Sequence, residues 1–402
     1  MDMYRDLAKH QGVYRILFAQ LTARMPFGML SLLMILHIER LHENYAAAGL
    51  VLAAASTGQA IAGPVTSRWM GRWGMRPVLI LTSIVAAVAF TVIGVVYMSV
   101  PLTMAVAFVM GFSMPPVTPA VRTIYPKMVP GNLLSGLYSL DASAQEIIWI
   151  FGPLLAVVIS TQVGTVAGVI VAVAFLVVGG AWFIASPELG KVRVPRSRRR
   201  LGAVLSRPTV VISMAIELIF VASFAAIEVG VVASFDHTSI ESGIVLGVMS
   251  VGSIIGGLAL GHRIIRPLSL STRLGLVAIG TAMTLVNQGS VWLSISLFIA
   301  GIGVAPALAV LYTTVSATVK FSETTEAFGW MSTAMLVGAA LGSAVAGFAV
   351  DQLGPVSAMT LSLIFVVLSA LVAFFTRGFT PDLSDGNASP IPDTEPISVH
   401  YR

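Results

Sequence analysis

The chain has 402 residues, of which 56% are hydrophobic and only 10% charged, whereas soluble proteins of this size carry about 25% charged residues. Apolar stretches of about 18 or more residues recur along nearly the whole length, which excludes a soluble globular domain and also a β-barrel, whose strands would read as short alternating segments. Cysteine is absent, so no disulfide or thiolate metal site is available, and the net charge of +5 does not indicate nucleic acid because the cations cluster between apolar runs.

Twelve membrane spans are predicted, at about 14–38, 44–66, 77–99, 101–124, 138–160, 164–186, 209–233, 240–262, 272–288, 291–316, 325–349 and 355–376. The first run is longer than the roughly 7–15 residues of a signal-peptide core and lacks a small-residue cleavage site, so it is read as a span. Lys and Arg fall almost entirely on one side of the membrane, with Arg40 alone in the opposite loops. The positive-inside rule then places both termini in the cytoplasm.

In the first span, Gln20 and Arg24 lie one turn apart on the same face, and Pro26 and Gly28 follow. Ionisable residues inside a span face the bundle interior or a wet cavity by default, so Arg24 and Gln20 are candidates for a cargo cavity. Between the second and third spans stands "SRWMGRWGMRP", residues 67–77. Its cations Arg68, Arg72 and Arg76 orient the loop whatever else they do.

The fourth span carries "MPPVTPAVR", whose three prolines remove backbone donors and predict a kink lining a cavity. Pro116 and Arg122 join the cavity candidates, as does Tyr312 in the tenth span. The fifth span contains Asp141, near the membrane edge and able to serve as a helix-start dipole partner. It also contains Glu146, expected to pair with Arg122 at similar depth. In the seventh span, Glu217 and Glu228 are eleven residues apart, which places both carboxylates on one face about 16 Å from each other. These four carboxylates are the candidate proton-coupling sites.

The longest polar interruption, 187–208, is basic and divides the chain into six-span halves, 1–186 and 209–376; residues 377–402 are expected to form a disordered tail. The halves resemble each other. Shifted by 194 residues, "GLVLAAASTGQAIAG" (49–63) lies over "GIVLGVMSVGSIIGG" (243–257) with seven of fifteen positions identical. Shifted by 190, Gly111, Pro116 and Thr123 lie over Gly301, Pro306 and Thr313. Parallel six-helix repeats are a transporter architecture. Glycines at 252, 256, 257 and 261 and at 338, 342 and 347 suit close helix packing, with rocking surfaces as the functional extension.

On these residues the chain resembles the major facilitator superfamily, and within it bacterial drug and metabolite exporters of the twelve-helix branch. The family's loop between helices 2 and 3 reads close to G-x-x-x-D-R-x-G-x-R. Here Arg72, Gly74 and Arg76 fit, Ser67 replaces the first glycine and Gly71 replaces the aspartate. In the family that aspartate contacts helix 11 and locks the outward-open state. The resemblance therefore implies a gating loop of Ser67, Gly71, Arg72, Gly74 and Arg76 without its charge, with Gly71 allowing a tight turn or a close helix approach. It implies an all-α protein of two pseudo-symmetric six-helix bundles, monomeric, in a plasma membrane of the bacterial inner type, with helices 1, 4, 7 and 10 around a central cavity. "IFGPLL", with Gly152 and Pro153, and Arg122 in helix 4 are partial matches to exporter patterns.

The function expected is secondary active transport by alternating access: proton-coupled export of small amphipathic compounds. The partners are the small-molecule cargo, protons and membrane lipids, without nucleic acid, cofactor or metal. The alternatives are a proton symporter importing a sugar, organic acid or other nutrient, or a lipid transporter. The spans hold few amides, chiefly Gln20, Gln59, Gln145 and Asn287, which tilts the reading from sugars towards amphipathic cargo. No P-loop supports ATP driving. A membrane-embedded enzyme is disfavoured because no HExxH or Ser/His constellation is seen, and His10, His37, His42, His237, His262 and His400 fall at span edges, in loops or in tails.

Overall fold

The computed structural model describes residues 2–192, 200–235, 241–261, 263–383 and 388–393. It is helical throughout, and the twelve expected spans are all present. In chain order they are α1 (Val13–His42), α2 (Tyr45–Trp73), α3 (Met75–Val95), α4 (Val100–Phe112 continued by Val117–Met128), α5 (Gly131–Gln162), α6 (Thr165–Ala185), α7 (Pro208–Ser234), α8 (Glu241–Leu260), α9 (Ser269–Met283), α10 (Ser290–Thr318), α11 (Phe321–Leu353) and α12 (Pro355–Phe375). Eleven are long and apolar enough to cross a membrane. At 15 residues, α9 is shorter than expected and ends in turns.

Local breaks have local causes. The two parts of α4 are separated at 113–116, where Pro115 and Pro116 supply no N–H. Pro119 is tolerated because it stands in the first turn of the second part. A π-helical segment, Phe175–Gly179, interrupts α6 where Gly179 lies against the backbone of Thr22 and Ala23.

The repeat is visible in the packing. Gly58 of α2 lies against the Phe108 carbonyl of α4, and Gly111 of α4 against the Ala55 carbonyl of α2. Their counterparts do the same: Gly252 of α8 meets the Phe298 carbonyl, and Gly301 of α10 meets the Met249 carbonyl. A Cβ at any of the four would collide with backbone, so small residues here set the helix separation. Gly338 and Gly342 likewise pack on Leu218 and Ala222 of α7, within one half, while Gly347 meets open space.

The odd-numbered helices start on the face that carries the first and last described residues, here called the terminal face. Two like-built seams join the halves there, α2 with α11 and α5 with α8, and α5 with α10 and α4 with α11 add further contact. In the first, Thr333 donates to the Ala60 carbonyl at 2.7 Å and Gly329 packs on Gly63 and Ser67. In the second, Ser139 donates to the Gly257 carbonyl at 2.9 Å, while Gly257 and Gly261 pack on Ser143 and Ser139.

The tail departs from expectation. Residues 388–393 are docked on the terminal face instead of disordered. Ile391 pairs in parallel with Lys320, its N–H donating to the Val319 carbonyl at 3.0 Å. Asp393 accepts from the Ser322 N–H and hydroxyl, capping the start of α11, and buried Ala388 donates to the Gly131 carbonyl at 3.4 Å. The basic linker residues 193–199 and tail residues 394–402 lie outside the described residues, as do His237, His262 and His400.

Candidate functional site

Two pairs of residues one helical turn apart face each other across α1 and α5: Gln20 with Arg24, and Asp141 with Gln145. Arg24 donates to Gln20 Oε1 at 2.8 Å and to Gln145 Oε1 at 2.6 Å, and stands 3.5 Å from Asp141 Oδ1. The amide of Gln20 donates to Asp141 Oδ1 at 2.9 Å. From α4, Arg122 Nε donates to Asp141 Oδ2 at 3.2 Å, and the Tyr125 hydroxyl donates to Oδ1 at 3.1 Å. Asp141 is fully buried between two guanidinium groups. It is no helix-edge cap.

The cluster crosses to the other half. The Arg122 guanidinium lies 3.5 Å from the centre of the Tyr312 ring, a cation–π geometry, and Tyr312 donates to Glu217 Oε1 at 3.0 Å. Glu217 is 1% exposed, and its second oxygen has no hydrogen-bond partner among the described residues. The Tyr138 hydroxyl donates to the Arg122 carbonyl, and its ring meets those of Tyr312 and Phe328. Two cations and two carboxylates thus sit in one desolvated assembly that is neutral when both acids are ionised. Such an assembly costs desolvation and contributes little net stability, which makes this cluster the candidate functional site of the bundle.

Above it lies a cavity of about 210 Å³. Arg24, Thr66 and Gln145 form its floor, and the wall rises away from the terminal face through Gln59 and Ser56 to Ser31 and Leu52. Phe27, Leu30, Met114, Pro115, Pro116, Trp149, Met335 and Leu336 make most of the wall apolar, and Arg24 is the single charged lining residue.

Other predicted residues fall elsewhere. Glu146 does not pair with Arg122; its carboxylate accepts from Ser250 at 3.0 Å and Ser253 at 2.8 Å on α8. Arg122 sits closer to the terminal face than the equal-depth pairing assumed. Glu228 is exposed and lies outside the cluster. Gly71 makes neither a turn nor a close approach, because α2 continues to Trp73 and a Cβ there would meet nothing within 4 Å. The turn falls at Gly74, whose φ of +93° suits glycine. Arg72 stands near the Trp73 ring, and Arg76 donates to the Ser186 carbonyl at 3.2 Å. Ser67 is buried against Gly329. A charge link between α2 and α11 is nevertheless present: Arg68 Nη1 is 3.1 Å from Glu326 Oε2, and the other oxygen of Glu326 accepts the Gly202 N–H of the linker at 2.7 Å.

Several partners were not read from the sequence. Tyr125, Tyr138 and Glu326 are the main ones, and the i,i+4 spacing of Asp141 and Gln145 was the available signal. Arg273, at the start of α9, is buried and donates to the Pro306 carbonyl at 2.7 Å. His37 is buried at hydrogen-bond distance, 3.0 Å, from Thr165 Oγ1 and from the Ile93 carbonyl. That is a packing role. No group of three or more His, Cys, Asp or Glu able to hold a metal occurs among the described residues.

Twelve helices among the described residues, in repeated halves closed on one face over a buried charge cluster and a cavity, have the architecture of a multi-pass membrane transporter. The chain belongs to the Major Facilitator Superfamily, whose model matches residues 16–270 and 262–398. No curated protein matches it significantly. Among solved structures it is similar to the human organic anion transporter MFSD10 (TETRAN), at TM-score 0.68 and 15% identity over 90% of this chain and 98% of that one. It is also similar to a bacterial homologue of the iron transporter ferroportin in an outward-facing state, at 0.68 and 12% over 91% and 99%. The E. coli fucose:proton symporter FucP matches at 0.67 and 13% over 92% and 98%. At these identities the likeness is one of fold.

Proposed function

We propose that the chain is a secondary transporter that exports small amphipathic compounds in exchange for protons by alternating access, with both termini in the cytoplasm. Residues 1–186 and 209–376 are the two rocking units, and 187–208 is the cytoplasmic linker between them. The observation that carries this reading is the neutral cluster Arg24–Asp141–Arg122–Tyr312–Glu217 at the floor of a mostly apolar cavity. The terminal face is closed, which fits an outward-facing state, the state in which the bacterial ferroportin homologue was captured.

Glu217 is the proton site in this scheme. It is desolvated, and one of its oxygens is unsatisfied. A proton there removes one counter-charge from Arg122, which then draws on Asp141 more strongly. Asp141 in turn loosens from Arg24, and the single charged group on the cavity wall loses its position. Proton and cargo then exclude each other, as exchange requires. The wall chemistry supports amphipathic cargo: one cation, two amides and a few hydroxyls among apolar and aromatic side chains.

A second reading is favoured by Arg24 being the only charge on the wall. If loosened Arg24 is instead free to receive a cargo carboxylate, proton and anion bind together, and the chain is a symporter for an amphipathic organic acid. The two readings differ in the sign of one linkage. Adding cargo to de-energised, lightly buffered cells drives it inward: an exchanger acidifies the medium and a symporter makes it alkaline. No pH change beyond that of cells lacking the chain, across a panel of amphipathic acids, bases and neutral compounds, overturns proton coupling. In the same assay Asp141→Asn should abolish transport. Its loss leaves two buried guanidinium groups sharing one carboxylate, and breaking such a pair costs about 3–5 kcal/mol, so its thermal stability should fall too.

A further inference from the structure

The two seams are related by the repeat, and one of their differences is an ion pair. The shifts that superimpose the halves put Gly63 on Gly257, Ser67 on Gly261, Ser139 on Gly329 and Ser143 on Thr333. The contacts correspond: Gly63 with Gly329 and Thr333, Gly257 with Ser139 and Ser143. The same shift puts Glu326 on Gly136. The α2/α11 seam is held at that level by Arg68 and Glu326; on the α5/α8 seam the place of Glu326 falls to a glycine, and the counterpart of Arg68, His262, lies outside the described residues.

The short helix Asp2–Lys9 fills the space. The Met3 side chain packs on Gly136 of α5. The Tyr4 hydroxyl donates to the Gly257 carbonyl of α8 at 2.8 Å, the same carbonyl that Ser139 reaches. Leu7 is fully buried in the main core, and on the outer side Lys9 pairs with Asp6 at 2.7 Å. Burial pushes the Tyr4 hydroxyl up to about 12, so it stays a donor.

We propose that this helix is a clasp on the α5/α8 seam, taking over there the closing role that the Arg68–Glu326 pair has on the other seam, so that this seam parts only when the helix lifts. One element touching both halves adds a free-energy cost to their separation. A ligand or modification that displaced it would shift the population towards the state in which the α5/α8 seam is open.

The absence of cysteine makes the test direct. Ser143→Cys and Thr333→Cys place equivalent reporters on the two seams, and their alkylation rates are measured in purified full-length protein in nanodiscs. Tyr4→Phe with Leu7→Ala should raise the rate at position 143 about tenfold and leave that at 333 within twofold. Tyr4→Phe alone, which removes one hydroxyl, should give about threefold at 143. Arg68→Gln should do the reverse, raising the rate at 333. An unchanged rate at 143, or an equal rise at both positions from general loosening, would overturn the clasp.

Discussion

The α2/α11 and α5/α8 seams are built on one plan and finished differently. Both bring glycine and small hydroxyl residues together so that backbones touch, because close van der Waals packing and short hydrogen bonds are what join helices where water gives no hydrophobic drive. The α2/α11 seam adds an ion pair, Arg68 with Glu326, whose arginine side chain is 28% exposed, and ties the linker to it through Gly202. The α5/α8 seam has Gly136 in the place of Glu326 and adds an N-terminal helix. Deeper in, it adds Glu146 held by two serines. The comparison shows that the repeat conserves packing distances, while the means of closing is free to differ between halves.

Bulk at the shared contacts should have the largest effect. Gly257→Leu and Gly63→Leu each force the halves apart on the terminal face, and both should lower transport by about two orders of magnitude while the protein still inserts; a measured turnover near the parent's would break the claim that these seams close the molecule. Next comes the ionic contact. Arg68→Gln should raise the population with the α2/α11 seam open roughly fivefold, in keeping with the ~1 kcal/mol ceiling for a partly exposed pair. High salt should mimic the substitution at position 333 and leave position 143 unaffected, as read by the alkylation rates. Glu146→Gln keeps at most part of the serine hydrogen bonding and should loosen the α5/α8 seam about two- to threefold by the same assay. Gly71→Ala should do least. The site is open and helical, so the change should stabilise by about 0.5–1 kcal/mol, seen as a slightly higher melting temperature with transport unchanged.

The spans were legible because a membrane demands about 20 apolar residues per crossing, and the repeat was legible because glycine at a backbone contact has no substitute. Arg24, Gln20, Arg122, Asp141, Glu217 and Tyr312 all stood out singly, since charges and their polar partners are rare in spans. Their partners were harder to read. Choosing Asp141 over Glu146 for Arg122 needs helix rotation and depth to better than one turn, and a sequence offset supplies neither. Gly71 misled because a family position was read as a contact, whereas the helix carries it past the contact and Arg68, a turn earlier, makes one. The Asp2–Lys9 helix places Met3, Tyr4 and Leu7 at helical spacing, but nothing in eight residues names the seam it covers. Composition marked the tail as disordered, yet Ile391 and Asp393 find edge and cap partners on the helices they join.

The central claim is that the buried cluster couples protons to cargo through Glu217. The most direct measurement is the pH of a lightly buffered suspension of de-energised cells after cargo is added, with the intact chain and with Glu217→Gln, alongside uptake of the same cargo in its labelled form. The account predicts a cargo-dependent pH change with the intact chain, acidification for exchange, that disappears in Glu217→Gln together with uptake of labelled cargo, because a permanently neutral side chain at 217 holds the cluster in its cargo-excluding arrangement. A pH change of equal size in the variant would contradict it.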